Sequence, residues 1–166
     1  DTLGIHRGAD DNASGTAGLL EVAQKLSARK SRLKRSIILL GFDAEEKGLW
    51  GSKHFVKRPP ITKRRIKAGI ILDMVGVRAH QQFGNLLLVV GAEKSPELAQ
   101  LVDATMPESD HEVLRGGLHL LENSPFGRMV LSDYAPFRDA HIPFAMLSAG
   151  MNPTYHHPSD VFDAIH

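Results

Sequence analysis

Three observations predict an α/β fold, a three-layer sandwich with a mostly parallel central sheet. Short apolar runs of strand length, at residues 36–42, 68–72, 85–90 and 143–148, alternate with segments of helical periodicity. The runs are near-continuous in apolar character, as expected of strands covered on both faces. Clusters of carboxylates and imidazoles follow several of them, where open α/β sheets bind ligands beyond the carboxyl ends of their strands.

The elements follow in order. Ala13, Ala17, Leu20, Ala23 and Leu26 share one helical stripe with Ser14 at the cap position, which predicts a helix over residues 14–29. The run 36–42 is the next strand. A short helix over 50–57 is stopped by Pro59 and Pro60. After the strands at 68–72 and 85–90, Ser95, Pro96 and Glu97 supply a cap, a first-turn proline and a dipole-matching acid for a helix reaching about Met106. Residues 116–128, with their glycines, Pro125 and Phe126, read as a long loop. Residues 132–140 are predicted helical, 143–148 form the last strand, and Ser159 with Asp160 stands as the cap of a closing helix.

A chain of 166 residues has the length of one domain, 1–166, and can bury roughly 70% of the surface its unfolded form exposes. At 42% hydrophobic and 23% charged it has globular composition, and no apolar run is long enough to span a bilayer. Twenty Lys and Arg against 19 Asp and Glu leave a net charge of +1, which gives no reason to expect nucleic acid. Two basic clusters, at 29–35 and 57–67, fall between a predicted helix and the next strand and read as solvated connections. Without cysteine there is neither a disulfide nor a thiolate ligand.

Four clusters carry the chemistry. Asp10 and Asp11 lie in a glycine-flanked turn that opens the first helix. Asp43, Glu45 and Glu46 follow the 36–42 strand, Asp73 ends the 68–72 strand, and His156, His157 and Asp160 follow the last one. Hard oxygen donors together with imidazole suit a divalent metal. The Asp10–Asp11 pair is also suited to capping a helix, and that is the expected role of Asp10.

The motifs Gly-Ala-Asp-Asp-Asn-Ala-Ser-Gly, Ala-Glu-Glu-Lys-Gly-Leu-Trp-Gly-Ser, Leu-Asp-Met, Ser-Asp-Tyr-Ala-Pro-Phe and Tyr-His-His-Pro-Ser-Asp occur here in sequence. Together they resemble the successive motifs of the two-zinc aminopeptidases, the bacterial leucyl aminopeptidase and aminopeptidase Y type. The resemblance spans nearly the whole chain. It implies a zinc-exopeptidase-like fold, incomplete at both ends, so that 1–166 is expected to be an internal segment of a longer catalytic domain. It makes Asp11 the carboxylate that bridges two zinc ions, Glu46 and His156 the other ligands of one ion, and Asp73 a ligand of the second. A histidine two positions before Asp1 would complete the second site, and Asp1 would stand behind it. Glu45 becomes the general base that takes a proton from zinc-activated water. Asp133, Tyr134 and Phe137 match the segment lining the substrate pocket, with helix capping and core packing as the other role open to them, and Asp160 is expected either to orient His156 or to cap the last helix.

The implied function is hydrolysis of the N-terminal peptide bond of peptides with a free N-terminus, with neither nucleic acid nor membrane as partner. Family members are often exported, which leans towards a secreted or periplasmic setting. Two other readings stay open: a glutaminyl-cyclase-like acyltransferase using one zinc, and a peptidase-like binding module without activity. The context of Glu45 and Tyr155 fits the peptidases better than the cyclases, and the retained ligands argue against an inactive module.

Overall fold

The computed structural model describes residues 4–78, 85–123 and 132–165. Among these, β1 (Gly69–Leu72), β2 (Leu86–Val90), β3 (Glu112–Arg115) and β4 (Phe144–Ser148) form one sheet in the order β1-β4-β2-β3. β1 pairs parallel to β4 and β2 parallel to β3, whereas β2 runs antiparallel to β4. The α/β class holds, and the sheet is mostly parallel, with one of its three pairings antiparallel.

Alternation along the strands separates the two faces, since successive side chains of a strand point to opposite sides. Phe144 and Met146 of β4, with Val90 of β2 and Ile71 of β1, join the larger core cluster. Ala145 of β4 and Val89 of β2 join the smaller one. Helices α2 (Trp50–Lys57) and α5 (Tyr134–Asp139) cover the first face through Val56, Tyr134, Ala135 and Phe137. On the second face α3 (Pro96–Thr105) packs through Leu98 and Val102. Three layers result. Phe42, Phe55 and Phe137 meet with ring centroids 5.9 to 6.4 Å apart, and Tyr134 stacks on Phe144 at 5.1 Å. Offset aromatic contacts of this kind add to plain burial.

At the end of β2 the chain turns through Gly91 at φ 92, where a Cβ would run into the Phe144 ring. Only glycine satisfies both the backbone angle and the space. Ser95 caps α3 as predicted, accepting from Leu98 N–H.

Several expectations are corrected. Residues 36–42 form no strand among the described residues, and Ile37, Ile38 and Leu39 are exposed. The run has strand composition, yet a strand exists only where a neighbour accepts its hydrogen bonds. Its end is anchored, with Phe42 packed on the core. The first helix, α1 (Gly15–Ala28), has the predicted span, but Leu20 of its apolar stripe faces solvent. β3 lies in a stretch for which the sequence predicts no element, and α4 (Leu118–Asn123) in the predicted 116–128 loop, of which 124–128 lie outside the described residues. The closing helix is only a single 3-10 turn, Phe162–Ala164, starting beyond Asp160.

Candidate metal centre

The site forms where the sheet architecture delivers it. β1 continues its pairing one residue past its end, as Asp73 N–H donates to the Leu147 carbonyl at 3.1 Å, which fixes the backbone of the first acid. The loop after β4 carries His156. Residues 43–50 wind tightly before α2: Gly48 and Leu49 N–H both donate to the Glu45 carbonyl, and Gly51 N–H donates to the Asp43 carbonyl. A wide helical turn, Ala9–Ser14, then brings up Asp11, whose φ of −105° and ψ of 90° break the helical course.

Asn12 ties that turn to β1. Its amide donates to the Leu72 carbonyl at 2.9 Å, and its Oδ1 accepts from Gly15 and Met74 N–H. Ser14 makes a second link, accepting from Val75 N–H and donating to the Asp10 carbonyl. Asp160 does neither of the things expected of it. Buried at 3% exposure, its carboxylate accepts the Asp10 and Asp11 N–H groups at 2.8 and 3.0 Å and so holds the backbone of Asp11 rather than the ring of His156.

Among the described residues, Asp11, Glu46 and His156 offer one donor atom each within 4.8 Å of one another. His156 Nε2 lies 3.4 Å from Asp11 Oδ2 and 3.1 Å from Glu46 Oε1. The Tyr155 ring stacks on the imidazole at 3.8 Å between centroids. Two carboxylates and an imidazole at this spacing form the donor set of a zinc site, so the residues present fit that metal.

The electrostatics have the same sense. Burial pushes the Asp11 carboxyl up to about 6, helped by Asp73 and Glu46 and opposed by His156. Burial raises Glu45 to about 8, with Glu46, Asp73, Asp133 and Asp11 adding to it. Asp73 is raised by burial against a hydrogen bond from Ser132, and Asp133 by burial against one from Ser52. The Tyr155 hydroxyl, half-buried beside these acids, is pushed up to about 12. Carboxylates forced together this way need either protons or a cation.

That crowding makes a sign-specific prediction for the metal-free natural polypeptide. Asp11 and Glu45 have folded values above their ordinary 3.8 and 4.5, so the folded state binds more protons than the unfolded one between about pH 4 and pH 8. Their contribution to stability is full below that window and is lost as pH rises through it. The melting temperature in chelator should fall between pH 5 and pH 8, and saturating zinc should remove most of the fall. A chelated protein whose melting temperature rises steadily to pH 8 would contradict the crowding.

The remaining predicted residues divide. Asp73 stands outside the three-residue donor group but acts electrostatically on both Asp11 and Glu45. Asp133 is partly buried close enough to raise Glu45, and its Oδ1 has no hydrogen-bond partner among the described residues. Tyr134 and Phe137 are core residues at 0% and 4% exposure and present no pocket surface; their aromatic size is used for packing. Asp1 lies outside the described residues. Asp10, Asn12 and Asn152 lie outside the site residues expected from the sequence. Their work is hydrogen bonding to backbone and neighbouring side chains, for which the sequence shows only Asp and Asn beside the ligand positions.

Strain is concentrated in these loops. Of the five non-glycine residues with positive φ among the described residues, Ala44, Leu49, Met74 and His156 belong to site-bearing segments. Such conformations cost of order 1–3 kcal/mol each and persist where surrounding contacts over-determine them.

A model of Peptidase family M28 matches residues 1–166. Aminopeptidase YwaD of Bacillus subtilis (strain 168) is 30% identical over 179 residues, an alignment covering 99% of this chain and 35% of YwaD. The probable glutamate carboxypeptidase LAMP1 of Arabidopsis thaliana is 33% identical over 185 residues, covering 96% of this chain and 25% of LAMP1. The structure of BSAP, a zinc aminopeptidase from Bacillus subtilis, superposes with a TM-score of 0.71 at 26% identity, covering 100% of this chain and 39% of that one. The chain therefore spans between 25% and 39% of the length of these relatives. A family model that takes in every residue, over an α/β sheet with an acid and imidazole cluster at its strand ends, shows that the chain belongs to peptidase family M28.

Proposed function

We propose that this chain carries the catalytic centre of a zinc-dependent aminopeptidase that removes N-terminal residues from peptides. The observation that carries the reading is the convergence of Asp11, Glu46 and His156 on one point, with the raised carboxyl of Glu45 next to Glu46. Following the family resemblance, Asp11, Glu46 and His156 would hold one ion, and Asp11 and Asp73 would contribute to a second. Zinc supplies a Lewis acid that lowers the pKa of water and polarises a carbonyl.

The chain's own residues do the rest. Glu45 takes a proton from the attacking water on a carboxylate oxygen and returns it to the departing amine. Glu46 stands in the donor group with Asp11 and His156 and Glu45 does not, which leaves Glu45 for the proton. Asp133, which acts electrostatically on Glu45 and has no ligand role in this reading, is the acid left to favour the cationic N-terminus of a peptide over a blocked one.

The test is release of a free amino acid by the zinc-loaded natural polypeptide. Aminoacyl-nitroanilides and unblocked peptides should be cleaved, and N-acetylated versions of the same peptides should not. Ammonia from a Gln-initiated peptide with no free amino acid would replace this reading by the cyclase, and inactivity of a fully loaded protein would replace it by the binding module.

A further inference from the structure

We propose that Asp10 is a positioning residue whose buried carboxylate sets the spacing of three of the four segments that carry the metal-binding side chains, those of Asp11, Asp73 and His156. The inference rests on the metallopeptidase reading and deepens it. Asp10 is 0% exposed. Its Oδ1 accepts from Gly76 N–H at 2.7 Å, in the loop that begins at Asp73. Its Oδ2 accepts from the Asn152 side-chain amide at 2.6 Å, in the loop that carries His156. Its own N–H goes to Asp160, and the next residue is Asp11. One carboxylate thus joins the Asp11 turn to the other two loops through separate oxygens, and the helix-capping role expected from the sequence is replaced by this one.

Two features show that the arrangement is built. A Cβ on Gly76 would stand 3.1 Å from Asp10 Oδ1, 2.8 Å from Ser14 Cβ and 3.0 Å from Ile165 Cδ1, so the loop approaches Asp10 only because residue 76 is glycine. Asn152 is locked in orientation, because its Oδ1 accepts from Thr154 N–H and Oγ1 at 2.7 and 2.6 Å, which leaves its amide for Asp10. Burying a carboxylate is costly unless its oxygens are satisfied, and here both receive donors from neighbouring loops rather than from their own. A shift of Asp10 therefore moves Asp11 directly, and Asp73 and His156 through Gly76 and Asn152.

The exchange variant supplies the test. In Asp10→Asn, one of the two donors faces an amide and loses its acceptor. In Asp10→Asn/Asn152→Asp, the residue 10 amide donates to the new carboxylate, while the Thr154 contacts and the Gly76 acceptor remain. The readouts are zinc affinity by chelator competition and the visible spectrum of the cobalt-loaded natural polypeptide. Asp10→Asn should lower zinc affinity about 10–100-fold and alter the cobalt bands, the range expected for partners behind a ligand. The exchanged double variant should return to within about threefold of the parent. Val56→Ala, a core cavity away from the site, should lower the melting temperature of the metal-free protein and leave zinc affinity within about twofold. Unchanged affinity in Asp10→Asn, or a double variant no better than the single, overturns the proposal. If Asp10→Asn does not fold, the double variant decides alone: parental zinc binding supports the proposal, and failure to fold or to bind overturns it. A parent that binds no zinc overturns the metallopeptidase reading itself, whereas a zinc-binding parent matched by Asp10→Asn overturns only this inference.

Discussion

Glu45→Gln should lower kcat about 10²- to 10⁴-fold, the range for removal of a positioned acid–base group, while zinc content stays at the parental value. Gln has the shape and the hydrogen-bonding reach of Glu but cannot take up a proton. Glu45 lies next to Glu46 rather than in the converging donor group, so the substitution should leave the ligand geometry in place. KM should stay within about threefold, because the proton transfer stabilises the transition state and not the bound substrate. Steady-state kinetics on an aminoacyl-nitroanilide with metal analysis of the same preparation make the measurement. Activity within tenfold of the parent would remove Glu45 from the role of base, whatever the metal content.

Asp11→Ala should have the second large effect, and its signature is the opposite one. Loss of a carboxylate placed within reach of both His156 and Glu46 should weaken zinc binding by more than about 100-fold, beyond the range seen for groups that act behind a ligand. Turnover should fall with the metal rather than at constant metal. The same substitution removes one of the acids that raise Glu45, so the metal-free Glu45 carboxyl should move back towards its ordinary range. Zinc titration against a chromophoric chelator reads the first effect and a pH titration by NMR reads the second. Full zinc occupancy in Asp11→Ala at substoichiometric chelator would exclude Asp11 as a ligand.

Much of the fold was legible because local patterns carried it. The cap, proline and acid at residues 95–97 marked α3, and the apolar runs at 68–72, 85–90 and 143–148 became β1, β2 and β4. The run at 36–42 looked the same and is not a strand, because pairing depends on a neighbour that no local window contains. The four residues of β3 alternate between half-covered and exposed, too short a signal to separate from a loop. Strand direction was beyond reach for the same reason: nothing in the 85–90 run tells it to oppose β4.

The site divides in a similar way. Asp11, Glu45, Glu46, Asp73 and His156 stood out because their side chains are chemically conspicuous and occur in ordered motifs. The bonds that place them did not, since Asp160 works on two backbone amides and Asp10 on a glycine N–H and an asparagine. Backbone donors have no letter in a sequence. Tyr134 and Phe137 sit in a pocket-like motif, and of the two roles open to them the structure shows packing, with their bulk in the core between the helices and the sheet.

The left-handed residues in the site loops bear on any attempt to engineer a sturdier variant. Ala44, Leu49, Met74 and His156 draw on stability supplied by the two packed faces of the sheet, so the loops have little latitude for reshaping. Thermal hardening is better sought on the solvent side of α3 or at exposed positions in the later turns of α1, such as Leu20, where a gain in rigidity leaves the contorted segments in their working shape.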